Sequence, residues 1–307
     1  MDLNNVIKEI KKAVIGKDDV IEDVIITLLA RGHVLLEDIP GVGKTNLALA
    51  LSKSIKMDYS RIQLTSDVMP SDIIGFNMYN PNTSQFEYKQ GIAYTHLLLA
   101  DEINRTSSKT QAALLELMEE RQMSVDGKTY KLPEPFFVIA TQNPFGSAGT
   151  QLLPDSQLDR FMVRLSLGYP NLEDEVRIIK DRKNINPIHN IESILTPELL
   201  IQCQKESDNV FVHDEIYKYI VEIVQKTRSH SMIKQGASPR GSLALMKLSK
   251  ARAYLHNRDY VIPEDVRDVA VMGLAHRIIF NYDAKIKDLD EKKIILDIIN
   301  SIDEPRV

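Results

Sequence analysis

Apolar residues in the first half of the chain fall into short continuous runs, and stretches with helical spacing separate these runs. The runs predict strands buried on both faces, and they lie at residues 33–37, 61–64, 97–100, 136–140 and 163–167. Helical spacing of apolar positions occurs at residues 20–31, 46–56 and 107–120. Because buried strands that alternate with helices are typical of parallel sheets, this half predicts an α/β fold with a parallel-sheet core.

The pattern changes after residue 170, where the continuous apolar runs disappear. Helical spacing then occurs at residues 173–183, 197–205, 214–227 and 240–255, with one or two more helices after Pro263. This half therefore predicts an all-α domain. Residues 184–187 read NINP and predict a loop, so we expect an α/β core at residues 1–185 and an α-helical lid domain at residues 186–307.

Composition and charge limit the classes of partner. The 307 residues are 43% hydrophobic and carry a net charge of −5 at pH 7, without the basic excess that nucleic-acid binding favours. Nucleic acid is therefore not expected as a partner.

Cysteine usage and the longest apolar run bear on localisation. Cys203 is the only cysteine, which fits a reducing compartment. The apolar run at residues 20–29 is too short and too charged to span a bilayer, so we expect a cytoplasmic protein without direct membrane insertion.

A glycine turn links the first predicted strand to the next helix. Residues 38–45 read DIPGVGKT and resemble the phosphate-binding pattern G-x-x-x-x-G-K-[ST], with Asp38 in place of the first glycine. Glycines there let backbone N–H groups and the helix start face phosphate oxygens. Lys44 is expected to reach the β- and γ-phosphates, and the Thr45 hydroxyl to bind Mg²⁺. The predicted nucleotide-binding residues of this segment are Pro40, Gly41, Val42, Gly43, Lys44, Thr45 and Asn46.

The strand predicted at residues 97–100 ends in two acids, Asp101 and Glu102. Asp101 is expected to hold Mg²⁺ through its water shell, and Glu102 to polarise the attacking water. An Asp-Glu pair after an apolar run also occurs where a strand simply ends in solvent, but its position downstream of the glycine turn favours catalysis. The cofactors predicted from both motifs are ATP and Mg²⁺.

Five sequence blocks together resemble the MoxR family of AAA+ ATPases, a family of the helix-2-insert type. The blocks are LEDIPGVGKT at 36–45, LADEINR at 99–105, IATQNP at 139–144, QLDRF at 157–161 and GASPR at 236–240. They stand in the family's order, and the resemblance covers residues 14–277. It implies a P-loop NTPase of the ASCE/AAA+ class, with a parallel-sheet core followed by an all-α lid.

The resemblance implies further site residues. Asn143 corresponds to sensor 1, which orients the attacking water or touches the γ-phosphate. Arg160 corresponds to the arginine finger, which reaches the γ-phosphate bound to the neighbouring subunit. Arg240 corresponds to sensor 2, which reaches from the lid to the same subunit's nucleotide. Val14 and Ile15 correspond to the segment that packs on adenine.

Simpler roles stay open for several of these residues. An Asn before a proline is a common turn former, and Arg160 could make a local salt bridge. Arg105 and Arg121 could act at an interface, with structural ion pairs at least as plausible. Val14 would pack in the core in either case.

Two segments correspond to insertions in the related machines. Residues 67–90 lie where helix-2-insert proteins carry an extra element, and residues 124–130 predict a hairpin with a tight turn at Asp126 and Gly127. In related machines these elements face the ring pore or the substrate. The alternative is two surface loops with no contact role.

The resemblance implies an Mg²⁺-dependent ATPase that forms a homo-oligomeric ring, expected as a hexamer. The family's usual role is chaperone-like remodelling or maturation of protein complexes, including cofactor or metal insertion, with a von Willebrand factor A domain protein as partner. Three alternatives stay open: a nucleic-acid motor related to helix-2-insert helicases, a magnesium-chelatase-like motor subunit, and a nucleotide-gated scaffold with little turnover. The net negative charge counts against the nucleic-acid motor. The scaffold with little turnover is disfavoured by the presence of Glu102, Asn143 and Arg160.

Overall fold

The structure is a computed structural model that describes residues 3–144, 153–181, 187–287 and 289–306. The domain boundary predicted between residues 185 and 186 lies outside the described residues. Within these ranges the strands are β1 (Val34–Glu37), β2 (Tyr59–Gln63), β3 (Gly75–Asn80), β4 (Gln85–Gln90), β5 (Leu97–Asp101), β6 (Gln122–Val125), β7 (Lys128–Lys131), β8 (Phe137–Gln142), β9 (Val163–Leu165), β10 (Ile233–Gln235) and β11 (Ile279–Phe280).

The α-helices of the described ranges are α1 (Leu3–Lys11), α2 (Asp18–Leu29), α3 (Lys44–Ser54), α4 (Pro70–Ile74), α5 (Ser108–Glu120), α6 (Asp155–Leu158), α7 (Leu172–Asp181), α8 (Pro197–Asp208), α9 (Asp214–Ser229), α10 (Pro239–Leu255), α11 (Pro263–Leu274), α12 (Tyr282–Ile286) and α13 (Glu291–Asn300). Short 3₁₀ helices are formed by Ile103–Arg105, Pro187–Asn190 and Ala275–Arg277. Across these ranges, the helices include none that is both long and apolar enough to cross a membrane.

The central sheet has five strands in the order β2-β5-β8-β1-β9, and every neighbouring pair is parallel. Its two faces bury alternate residues: Leu97 and Leu99 pack into the cluster with α1, α2 and α3, and Leu98 and Ala100 into the cluster with α5. Burial on both faces explains why the strands are apolar throughout. Because parallel strands end at the same edge, the segments after β1, β5 and β8 meet there.

The two predicted insertions are both ordered hairpins. Strands β3 and β4 pair antiparallel from Gly75 opposite Gln90 to Asn80 opposite Gln85, directly after the short helix α4. Strands β6 and β7 pair antiparallel around Asp126 and Gly127, whose φ angles of 48° and 77° are those of a tight hairpin turn. The hairpin predicted at residues 124–130 is therefore confirmed.

The second half of the described chain is helical apart from one small sheet. Strands β10 and β11, which were not predicted, pair antiparallel between α9 and α12. With three and two residues, these strands are too short to show a run or an alternation of apolar positions. The helical lid packs on the core through a continuous apolar cluster that includes Val24 and Leu245, and Gln204 Nε2 donates to the Leu28 carbonyl at 2.8 Å.

Candidate functional site

The glycine turn after β1 has the backbone shape that a phosphate-binding loop needs. Gly41 and Gly43 have φ angles of 89° and 106°, a region that residues with a Cβ rarely adopt. Helix α3 begins at Lys44, two residues before the predicted start, so its free N–H groups face the turn. Lys44 Nζ donates to the carbonyls of Asp38 (2.9 Å) and Ile39 (3.2 Å), which holds the ammonium against the turn.

Burial lowers the pKa of Lys44, although Asp38, Asp101 and Glu102 act in the opposite direction. A lysine that loses part of its water shell attracts an anionic ligand more strongly than a solvated one. This environment suits an ammonium that binds phosphate oxygens.

Asp38, which replaces the usual glycine, anchors the start of the turn. Its buried carboxylate accepts hydrogen bonds from Ser166 Oγ (2.8 Å), the Leu167 N–H (2.6 Å) and the Gly168 N–H (3.0 Å). These donors follow β9, so Asp38 ties the glycine turn to the end of the neighbouring strand. This role of Asp38 was not predicted from the sequence, where the only signal of it is the departure from the standard motif.

The two acids at the end of β5 are held by residues of the neighbouring strands and of the 3₁₀ helix that follows. Asp101 accepts hydrogen bonds from Arg61 Nε at 2.7 Å and from Thr141 Oγ1 at 3.2 Å. Gln63 Nε2 (2.8 Å) and Arg105 Nη1 (2.7 Å) both donate to the same Glu102 oxygen.

Glu102 itself has a left-handed backbone, with φ 57° and ψ 52°, and its N–H donates to Thr141 Oγ1 at 3.0 Å. A non-glycine residue in this conformation is strained, and such strain is common where a side chain must be aimed at a ligand.

The structural ion pair that stayed open as an alternative role for Arg105 is present, because Arg105 pairs with Glu102. Gln63 was not predicted as a site residue, because a single Gln at the end of a strand belongs to no recognisable sequence motif.

Two adjoining cavities, each of about 320 Å³, lie along the glycine turn. The first is lined by Lys44, Thr45, Asp101, Glu102 and Asn143, and the lining of the second is mostly apolar. The residues that line both are Pro40, Gly41, Gly43 and Asn46. The arrangement fits an elongated ligand with phosphates at one end and a flat apolar group at the other.

The second cavity has the lining expected of a nucleobase site. Val14, Ile15 and Val42 line it, together with Tyr169 and Ile179 from the segment after β9 and from α7. Tyr169 and Ile179 are largely exposed, at 78% and 68%, so their apolar surface is available to a planar ring. The structure thus brings all the residues predicted at positions 14–46 to one pair of cavities.

The donor set of the first cavity fits Mg²⁺ bound together with a nucleotide. The Thr45 hydroxyl and the Asp101 carboxylate line the same space. Mg²⁺ in nucleotide sites is usually held by one or two protein oxygens, with phosphate and water oxygens completing the octahedron. These two side chains are therefore the residues that would hold the ion.

The two predicted arginines lie elsewhere, at a second site that we call the arginine cluster: Glu119, Arg160 and Arg240. Arg160 Nη1 lies 3.2 Å from Glu119 Oε2 and donates to the Leu115 carbonyl at 3.3 Å. Arg240 Nη2 pairs with the other Glu119 oxygen. Arg160 and Glu119 line a cavity of about 580 Å³, which shares no lining residue with the two nucleotide cavities among the described residues.

Arg240 therefore does not stand where the sequence analysis expected it. It was predicted to reach the nucleotide of its own chain, but in this conformation it lines neither nucleotide cavity and lies beside Arg160. The physical reason is the docking of the lid. Helix α10 begins at Pro239, and its first turn, capped by Ser238 Oγ at 3.2 Å from the Arg240 N–H, faces the end of α5.

A parallel sheet whose strand ends carry a phosphate-binding turn, an acid pair and an amide, followed by a helical lid, defines a P-loop ATPase of the AAA+ class. The family described as "ATPase family associated with various cellular activities (AAA)" matches residues 33–163, and the AAA lid domain matches residues 225–298.

Full-length relatives narrow the class to a family. The chain is 47% identical to the uncharacterised protein YeaC of Bacillus subtilis (strain 168), over 99% of this chain and 95% of that protein. It is 38% identical to Chaperone MoxR1 of Mycobacterium tuberculosis, over 99% and 83% of the two chains. The crystal structure of a proposed ATPase from Cytophaga hutchinsonii superposes with a TM-score of 0.91 at 37% identity, covering 99% of this chain and 95% of that one. The chain belongs to the MoxR family of AAA+ ATPases.

Proposed function

We propose that this ATPase works as a ring in which each ATP site is completed by the arginine cluster of the next copy. One observation carries the proposal: Arg160 lines a cavity separate from the nucleotide cavities of its own chain, and Arg240 pairs with the same acid, Glu119. Their side chains are 35% and 47% exposed, so a second copy can reach them. Such a head-to-tail contact closes into a ring when its rotation permits.

Within one chain, the residues around the first cavity are arranged for hydrolysis of a terminal phosphate. The turn and Lys44 would bind and orient the phosphates, and Glu102 would take the proton of the attacking water. Gln63 and Arg105 fix the Glu102 carboxylate before catalysis, at 2.8 and 2.7 Å. Asn143 lines the same cavity and would orient the water. Bound Mg²⁺ would neutralise charge that develops on the phosphates.

The proposed output is chaperone-like remodelling or maturation of protein complexes, including cofactor or metal insertion. The name of the relative Chaperone MoxR1 supports a chaperone role, and the family resemblance supports a partner with a von Willebrand factor A domain. The β3–β4 hairpin adds a physical argument, because it exposes Phe76 (48%), Tyr79 (51%) and Phe86 (72%). Exposed apolar patches of this kind commonly mark surfaces that contact other proteins.

The ring proposal is tested by the dependence of ATP turnover on protein concentration, with particle mass measured by light scattering. We expect the turnover per chain to rise with concentration as rings form. Arg160→Ala should keep ATP binding and lose about a thousandfold in turnover, because an arginine finger contributes on this scale. The control is Arg306→Ala, an exposed arginine near the end of the described chain, which should behave as wild type. Turnover that is independent of concentration and of Arg160 would overturn the proposal.

A further inference from the structure

We infer that the lid of each chain positions that chain's own Arg160, through two carboxylates, Asp159 and Glu119, and so sets the rate of hydrolysis in the neighbouring copy. The inference rests on the proposed function, because it takes Arg160 to act on the nucleotide of the next chain. Asp159 and Glu119 are positioning residues here, and Arg160 is the group that meets the phosphate.

The first link joins the lid to the residues on either side of Arg160. Arg277, which follows α11, pairs its Nη1 with Asp159 Oδ1 at 3.0 Å. Its Nη2 donates to the Phe161 carbonyl at 2.8 Å. From the start of α10, Ser238 Oγ donates to Asp159 Oδ2 at 3.1 Å. The backbone that carries Arg160 is therefore held by the lid both before and after the residue.

This link is built as a rigid contact. The Arg277 side chain is only 3% exposed, and its Nε donates to the Gly273 carbonyl at 2.9 Å within the lid itself. Burial lowers the pKa of Arg277 to about 10, with Asp159 opposing this effect and nearby Arg240 adding to it. Arg277 thus remains charged at neutral pH. A buried charge needs its partner, so Asp159 and the lid are expected to move together.

The second link joins the lid to the tip of Arg160. Glu119, at the end of α5 in the core, accepts Arg160 on one oxygen and lid residue Arg240 on the other. Without that carboxylate the two guanidinium groups would repel each other at short range. Glu119 is therefore expected to hold both arginines in one orientation at the surface that meets the neighbour.

The two links make the position of Arg160 depend on how the lid is docked. A displacement of the lid would pull on residue 159 through Arg277 and on the guanidinium through Glu119 and Arg240. Small displacements of a catalytic group have large kinetic consequences, with about 1 Å costing on the order of a hundredfold. The lid of one chain is thereby coupled to the chemistry of the next.

The test uses Glu119→Gln and Asp159→Asn in the full chain. Each variant should lower kcat about tenfold or more and leave the affinity for a fluorescent ATP analogue unchanged, because the residues hold a catalytic group and do not touch the variant's own nucleotide cavity. The control is Glu116→Gln: Glu116 lies one turn earlier on α5 and lines the same cavity, without an ion pair to either arginine in the described structure. It should keep wild-type kcat.

Mixing experiments show on which copy the residues act. Each variant is combined one-to-one with Glu102→Gln chains, whose own site is inactive but whose arginine cluster is intact. Random mixing places about a quarter of the sites between an intact Glu102 and an intact cluster. Turnover should therefore rise several-fold above the mean of the two separate variants. For Arg160→Ala mixed in the same way, turnover should rise from almost none to about a quarter of the wild-type value.

The outcomes separate the inference from the proposal beneath it. If Arg160→Ala is rescued by mixing but Glu119→Gln and Asp159→Asn are not, or if they keep wild-type kcat, the inference is wrong while the shared site stands. If Arg160→Ala is not rescued, the shared site itself fails. Should Asp159→Asn unfold, as its thermal melt would show, Glu119→Gln carries the test alone, because its side chain is 39% exposed and its change leaves no fully buried charge unpaired.

Discussion

At the carboxyl edge of the sheet, Lys44 begins α3, Asp101 ends β5 and Asn143 follows β8, and the three side chains converge on one cavity. In the arginine cluster, Arg160 comes from the core and Arg240 from the lid, and a single acid joins them. The side chains of the nucleotide cavity are held in place by the register of the parallel strands, which belongs to the fold itself. The second exists only while two domains stay docked. The groups around the nucleotide cavities are thus fixed within the core, whereas the arrangement of the two arginines, which we propose face the neighbouring copy, depends on the lid.

The largest effect expected from the first region is the loss of the acid that activates water. Glu102→Gln keeps the shape of the side chain and its contact with Gln63, but removes the base. Turnover should fall by about a thousandfold, within the range that general bases contribute, while ATP binding persists. Steady-state turnover measures the rate of hydrolysis, and equilibrium binding of a fluorescent ATP analogue measures the affinity for nucleotide. Equal losses in binding and turnover would mean that Glu102 serves to hold the nucleotide.

A smaller effect is expected where the turn is anchored to β9. Asp38→Ala removes the acceptor of three hydrogen bonds, from Ser166, Leu167 and Gly168. The buried N–H of Leu167 and the partly buried N–H of Gly168 would lose their partner, at about 2 to 3 kcal/mol of folding stability. Urea unfolding measures this, and ATP affinity should weaken in parallel. Asp283→Ala, at an exposed lid position, is the control. A stable variant with weak ATP binding would show that Asp38 acts only on the ligand.

The smallest predicted effect is a loss of folding stability at acidic pH, and it comes from His33. His33 is buried between the core elements: its Nδ1 accepts from the Val138 N–H and its Nε2 donates to the Met118 carbonyl, both at 3.0 Å. Burial lowers its pKa from 6.5 to about 4. The unfolded chain therefore takes up the proton first, so the contribution of His33 is complete above pH 6.5 and is lost as the pH falls toward 4.

Between pH 7 and pH 5.5 this histidine should cost about 1 kcal/mol of folding stability. The measurement is urea unfolding at both pH values for wild type and His33→Gln, with exposed His256→Gln as the control. The variant is expected to be less stable at pH 7 but also less sensitive to acid. An unchanged pH dependence in His33→Gln would contradict the pKa assigned to this group.

The two regions also differ in how far the sequence predicts them. The glycine turn and the acid pair are contiguous in the chain and follow strands that are buried on both faces, so local pattern alone predicts them. The hairpin around Asp126 and Gly127 was predictable for the same reason. Family resemblance pointed to Arg160 and Arg240 but not to their contact, because that contact depends on how the lid docks. The anchoring role of Asp38 could not be predicted, because its hydrogen-bond partners lie 128 to 130 residues further along the chain.

The proposed sharing of each site between two copies is tested most directly by mixing two inactive variants, Glu102→Gln and Arg160→Ala, in equal amounts. Each variant alone should hydrolyse almost no ATP. In the mixture, about a quarter of the sites combine an intact Glu102 with an intact Arg160, so turnover should return to about a quarter of the wild-type value. A mixture that stays as inactive as its components, while light scattering shows that the two chains assemble together, would contradict the account.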